Sequence, residues 1–156
     1  MKFIWTLLLV LVGAVSFGQT PEKEVEQVIY DIFDGMREGD TAKIASHFIP
    51  DATMKSVFFD EKGASIMRDG SLDGWLNGIM NSQGTVLDER LWDMEVRVDD
   101  NLAQAWTYYA LYVNEEYHHC GVDAFQLFHD GEAWKVFHIA DTRKFECDIP
   151  ESVKNP

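Results

Sequence analysis

Apolar and polar positions alternate along this chain in two distinct rhythms. The first begins at Thr20 and Pro21, a hydroxyl residue and a proline suited to opening a helix. Val25, Val28, Ile29, Ile32, Phe33 and Met36 follow at three- and four-residue spacing. That spacing predicts one apolar stripe on a helix. Gly39 ends it, and Asp40 is placed to cap a short second helix from Thr41 to Phe48, stopped by Pro50 and Asp51. A third short helix is predicted from Leu72 to Met80, capped by Ser71, with Leu72, Trp75, Leu76 and Ile79 as its apolar face.

The second rhythm has period two. Met54 to Phe59, the turn Asp60–Gly63, and Ala64 to Arg68 form a hairpin signal. Trp92, Met94, Val96 and Val98 alternate with charged residues, which predicts a strand with one dry face. Turns at Asp100-Asn101, Asn114–Glu116 and Asp130-Gly131 separate further strands at Leu102 to Val113, Tyr117 to Phe128 and Trp134 to Thr142. Residues 148–156 are expected to be a flexible tail. Helices segregated from an antiparallel sheet make an α+β domain.

The amino terminus has a different character. Lys2 precedes an apolar run from Phe3 to Val12, and Ser16 and Gly18 put small residues before Gln19. This is the layout of a signal peptide over residues 1–18, with a domain over 20–147. The run is shorter than the ~20 residues a spanning helix needs. The expected address is therefore exported, periplasmic or secreted, with no membrane contact after cleavage. In that setting Cys120 and Cys147 are expected to pair as a disulfide, two buried free thiols being the alternative. His118, His119 and Cys120 are consecutive and cannot easily share one ion, so no metal site is expected.

Composition narrows the function classes. The 156 residues are 46% hydrophobic and 13% aromatic, which fits a folded core. There are 13 Lys+Arg against 27 Asp+Glu, a formal charge of −14. An acidic chain without a basic cluster is a poor nucleic-acid partner. G-x-S-x-G, P-loop, G-x-G-x-x-G and H-E-x-x-H motifs do not occur, and no cofactor is expected.

Several runs resemble the nuclear transport factor 2-like superfamily, which includes SnoaL-like cyclases and ketosteroid isomerase. They are Val28–Met36 followed by Glu38-Gly39-Asp40, then Asp51-Ala52, then Trp134–Ile139, in that order. His119-Cys120-Gly121, Ala124–Leu127, Asp141-Thr142-Arg143 and Cys147 resemble a narrower lumazine-binding-like group of secreted Bacteroidetes-type proteins. The resemblance implies a cone, a curved sheet wrapped around the first helix with a pocket at its open end. Members use such a pocket for catalysis, for ligand binding or for neither, and many dimerise through the sheet.

Tyr108, Tyr109, Tyr112, His119, Asp123, His138 and Asp141 could furnish a base and donors for isomerase-type chemistry. They do not match that enzyme position by position, so its catalytic residues are not transferred. His138 lies in phase with Trp134 and Val136, the expected inward face. Asp141 and Arg143 share a face, and a two-residue hairpin at Asp130-Gly131 would set Cys120 against Asp141. That pair either holds down the C-terminal segment or clamps an anionic ligand. The aromatic row Trp106, Tyr108 and Tyr112 is read as core or dimer contact before ligand platform.

The expected ligand-binding set is thus Tyr109, His119, His138, Asp141 and Arg143, with His138 and Asp141 as candidate catalytic groups. The expected function is binding of a small apolar or aromatic molecule. The alternatives are a SnoaL-like isomerase, cyclase or dehydratase using a His or Asp base, and a non-catalytic dimerisation or partner-binding module.

Overall fold

A computed structural model describes residues 19–82 and 84–155. The proposed signal peptide lies outside the described residues. The elements run α1 (Pro21–Glu38), α2 (Thr41–Ser46), β1 (Phe48–Phe59), β2 (Ser65–Ser71), α3 (Leu72–Asn81), β3 (Leu87–Asp99), β4 (Leu102–Val113), β5 (Glu116–His129), β6 (Trp134–Thr142) and α4 (Glu151–Lys154). Six strands form one sheet in the order β2-β1-β6-β5-β4-β3. β1 and β6 run parallel, and the other neighbours are antiparallel. This is the expected α+β architecture, a curved open sheet with an N-terminal helix against its inner face.

The apolar stripe of α1 drives that packing. Val25, Ile29, Ile32, Phe33 and Met36 are buried against Ala103, Ala105, Phe125, Leu127 and Val136 of the sheet. Thr20 holds the N-cap position, but its hydroxyl makes no capping bond. The C-cap follows the sequence signal. Gly39 adopts φ 71°, and the Gly39 and Asp40 N–H groups donate to the Met36 and Gly35 carbonyls. Asp40 then caps α2 by accepting from Lys43 N at 2.9 Å, and Ser71 caps α3 by accepting from Gly74 N at 3.1 Å.

Two of the register shifts in the sheet invert the alternation that decides which residues face the cavity. In β3 the register shifts between Trp92 and Glu95, where Asp93 has φ 50°. Trp92 therefore leaves the face it was expected to share with Met94, Val96 and Val98. It stacks on Tyr108 of the outer face with ring centroids 5.7 Å apart. Between β5 and β6 the register shifts at Gln126/Leu127, opposite an extra residue at Phe137.

The last hairpin also differs from expectation. Its loop spans four residues, Asp130–Ala133, because the Asp130 carboxylate accepts from the Glu132 and Ala133 N–H groups. Together with the bulge, this slides β6 so that Cys120 pairs with Lys144 and Asp141 pairs with Asp123. Cys147 then lies three residues past the partner of Cys120, and the two cysteines form a disulfide.

Residues 148–155 are not a loose tail in this structure. The disulfide starts them across the outer face, where Cys120 packs with Ala110, Tyr112, Trp92 and Ile149. Arg90 lies 4.0 Å from the Tyr112 ring centroid and donates to the Val153 and Lys154 carbonyls. Val153 is buried. No helix among the described residues is long and apolar enough to cross a membrane.

Candidate functional site

A cavity of about 230 Å³ opens between α1, α3 and the inner face of the sheet. Phe33 and Met36 of α1, Trp75 of α3, and Leu87, Leu111 and Ile139 of the sheet form its apolar walls. Glu89, Tyr109, His119, Asp123, Asp141 and Arg143 form its polar end, with Lys55 also in the lining. A larger concavity of about 850 Å³ lies beside Trp106, Tyr108, Gln104 and Gln126. It is a surface hollow, away from the clustered polar groups.

Strand register explains why the polar groups meet. Cross-strand rows on the inner face are Glu89–Leu111–His119, then Leu91–Tyr109–Gly121, then Thr107–Asp123–Asp141. Gly121 sits in the middle row, where the Thr142 carbonyl and the Tyr109 ring occupy the place a side chain would take. The Glu89 and Asp123 carboxyl groups hydrogen-bond each other. Such a bond requires a proton on one of the two.

Asp123 is 2% exposed, and its Oδ2 receives no donor from the rest of the protein. Burial, and then the neighbouring Glu89, push its pKa well above the usual carboxylate range. Burial likewise pushes Glu89 up to about 7, with Asp141 adding repulsion. The pair is best described as two carboxyls holding one proton.

The surrounding groups are already engaged. Asp141 accepts from Ser56 Oγ at 2.5 Å and from Arg143 Nε at 2.8 Å, and Arg143 also donates to Ser56 at 3.2 Å. The Tyr109 hydroxyl donates to the Thr142 carbonyl at 2.9 Å, and burial keeps the phenol neutral. His119 packs edge-on to the Tyr109 ring and lies 2.7 Å from His118 through their Nδ1 atoms. Burial, with Arg143 and His118 nearby, lowers its pKa to about 4, so the imidazole is neutral at pH 7.

Four of the five expected ligand-binding residues, Tyr109, His119, Asp141 and Arg143, therefore line one cavity. His138 does not. The β6 bulge at Phe137 turns Ile139 and Asp141 inward and His138 outward. There it sits in a row with Gln104 and Gln126, its Nδ1 2.7 Å from Thr53 Oγ1. A base role for His138 would need it in the pocket, and its strand faces the wrong way. Glu89 escaped the sequence reading for the same reason. The alternation set by Trp92–Val98, continued backward, puts Glu89 outside, and the Asp93 bulge brings it in. Its flanking Leu87 and Leu91 were the signal in the sequence.

Residues 20–138 match a protein family described as "Putative lumazine-binding". The chain belongs to that family. The matched span covers α1 through most of β6 and leaves Asp141, Arg143, Cys147 and α4 beyond it. No curated protein matches the chain. Among solved structures it is similar to an NTF2-like protein of Cytophaga hutchinsonii, with TM-score 0.63 and 11% identity over 81% of this chain and 100% of that one. A second is named a putative dehydratase of the NTF2-like family, from Streptomyces avermitilis, with TM-score 0.62 and 15% identity over 81% and 98%. A third is a cystatin-like-fold protein of unknown function from Nostoc punctiforme, with TM-score 0.60 and 10% identity over 81% and 92%. At these identities the likeness is one of fold, and the lumazine-binding family shares the NTF2-like architecture here.

Proposed function

We propose that the inner cavity binds a small, flat, apolar or aromatic molecule, in a protein exported to the periplasm or beyond. The observation that carries this reading is the Asp123 carboxyl, buried at the polar end of an apolar-walled cavity with one oxygen unpartnered. No N–H or hydroxyl group among the described residues reaches that oxygen, and a polar group of a ligand would partner it. The volume suits a one- or two-ring molecule, and the family description names lumazine, a flat bicycle. The Cys120–Cys147 disulfide is in keeping with an oxidising compartment.

The test is a thermal-shift and calorimetric screen of the purified chain against small aromatic heterocycles, lumazine among them. Saturable stabilisation is expected. Leu111→Trp, which fills the cavity from a strand wall, should fold and lose the effect. Ligand shifts that survive Leu111→Trp would place binding elsewhere.

A second reading concerns the outer face, where Leu102, Trp106 and Tyr108 are exposed beside the larger hollow. Such an aromatic surface favours a homodimer formed through the sheet.

A further inference from the structure

The cavity carries an unbalanced charge that its own residues do not neutralise. Three carboxyls face it, Glu89 from β3, Asp123 from β5 and Asp141 from β6. The opposing cations are both occupied. Arg143 is held by Asp141 and Ser56, and Lys55 of β1 is paired with Asp69 of β2. His119 of β5 is neutral, Tyr109 of β4 is a neutral phenol, and α1 and α3 contribute only Phe33, Met36 and Trp75. Glu89 and Asp123 are left without a cation, joined to each other, with Asp123 Oδ2 accepting from nothing.

We infer that the cavity takes a small organic cation, an amidinium or protonated amine on a flat apolar body. Its N–H groups take the place of the proton held between Glu89 and Asp123. This rests on the cavity being a ligand site and names the class of ligand.

Three features favour an organic cation over other occupants. Among the described residues no group of three or more His, Cys, Asp and Glu side chains is arranged to hold a metal ion. The walls opposite the carboxyls are aromatic and aliphatic, which suits a carbon body and would leave a hydrated ion without ligands. An anion at Arg143 would face the carboxyls of Asp141, Glu89 and Asp123.

The free site holds one proton on the carboxyl pair. The bound site has two carboxylates facing one ligand cation, and the released proton goes to the buffer. Binding near pH 7 should therefore release up to one proton and strengthen as pH rises.

Benzamidine, benzamide and benzoate test this directly, because they share size and shape and differ in charge. The full chain is titrated calorimetrically with each near pH 7, in phosphate and in Tris. Benzamidine should bind at least about tenfold tighter than benzamide, with benzoate weakest. The benzamidine enthalpy should differ between the buffers by the heat of the released proton. Asp123→Asn and Glu89→Gln should each abolish the preference and the proton release while keeping benzamide binding; either variant suffices should the other not fold. Benzamide binding as tightly as benzamidine, or no proton release, overturns the cation and leaves the ligand site standing. Tightest binding by benzoate overturns it in favour of Arg143 as an anion anchor. No binding by any of the three at millimolar concentration removes both the cation and the aromatic-ligand reading.

Discussion

Asp123 of β5 stands directly opposite Asp141 of β6. Like charges at such a position repel. The two are kept together by unequal treatment: Asp141 has Ser56 and Arg143, whereas Asp123 has only Glu89 and a shared proton. The site therefore stores acid–base asymmetry within a single cross-strand pair.

That asymmetry should be visible in stability against pH. Glu89 is raised from 4.5 to about 7, so the folded chain keeps a proton that the unfolded chain releases. Its contribution is full below about pH 4.5 and is lost as pH rises to about 7. His119 is lowered from 6.5 to about 4, so its contribution is full above 6.5 and is lost as pH falls to about 4. The two slopes oppose each other. Relative to the wild-type profile, Glu89→Gln should gain stability as pH rises from about 4.5 to about 7. His119→Gln should lose stability, relative to wild type, as pH rises from about 4 to about 6.5. Urea midpoints at a series of pH values read both, and variant profiles parallel to wild type would contradict both shifts.

Gly121 is where the site depends on backbone. A Cβ there would lie 1.8 Å from the Thr142 carbonyl oxygen and 2.9 Å from the Tyr109 ring. The same Thr142 accepts from the Tyr109 hydroxyl through its carbonyl and from Val122 N–H through its side chain, so it has little freedom to retreat. Gly121→Ala should destabilise by about 3 kcal/mol or more. Gly78, in α3, has nothing within 4 Å of its would-be Cβ. Gly78→Ala should stabilise by roughly 0.5–1 kcal/mol. Urea unfolding of the two variants should move in opposite directions.

The elements were legible because their signals are local. Turn chemistry and alternation placed Leu102–Val113 and Trp134–Thr142 at their observed bounds, and the stripe from Val25 to Met36 found the buried face of α1. Facing was less legible, because one inserted residue reverses it. The bulges at Asp93 and Phe137 moved Glu89 into the cavity and His138 out, and neither carries a glycine or proline to announce it. Register failed for a comparable reason. Asp130-Gly131 reads as a two-residue turn, but the Asp130 carboxylate caps a four-residue loop. Asp141 and Arg143 do lie side by side, with Arg143 donating to the Asp141 carboxylate from just past the end of β6.

The C-terminal segment should be held by two separable contacts. The disulfide closes a separation of 27 residues, worth about 3.5 kcal/mol by chain entropy. Replacing Cys120 and Cys147 with alanine together should lower stability by up to that amount. Arg90 acts independently, stacking on Tyr112 and binding the Val153 and Lys154 carbonyls. With the disulfide intact, Arg90→Ala should make cleavage after Lys154 by trypsin faster and leave cleavage after Arg97 of β3 and Lys135 of β6 unchanged. Equal rates in the two proteins would mean that Arg90 does not hold the segment.

Self-association through the outer face makes its own prediction. Trp106 and Tyr108 are 50% and 42% exposed, and Trp92 stacks behind Tyr108. They stand on central β4, whose backbone is already paired on both sides, so a partner would meet their rings and not a free strand edge. Burying two such rings on each copy supplies the aromatic anchors typical of an interface centre. Light scattering should then show a concentration-dependent dimer. Trp106→Glu should return it to monomer without changing the pocket, because this ring and the cavity lie on opposite faces of β4. A wild-type chain that stays monomeric at high concentration rules the dimer out, while leaving the inner cavity and its carboxyl pair untouched.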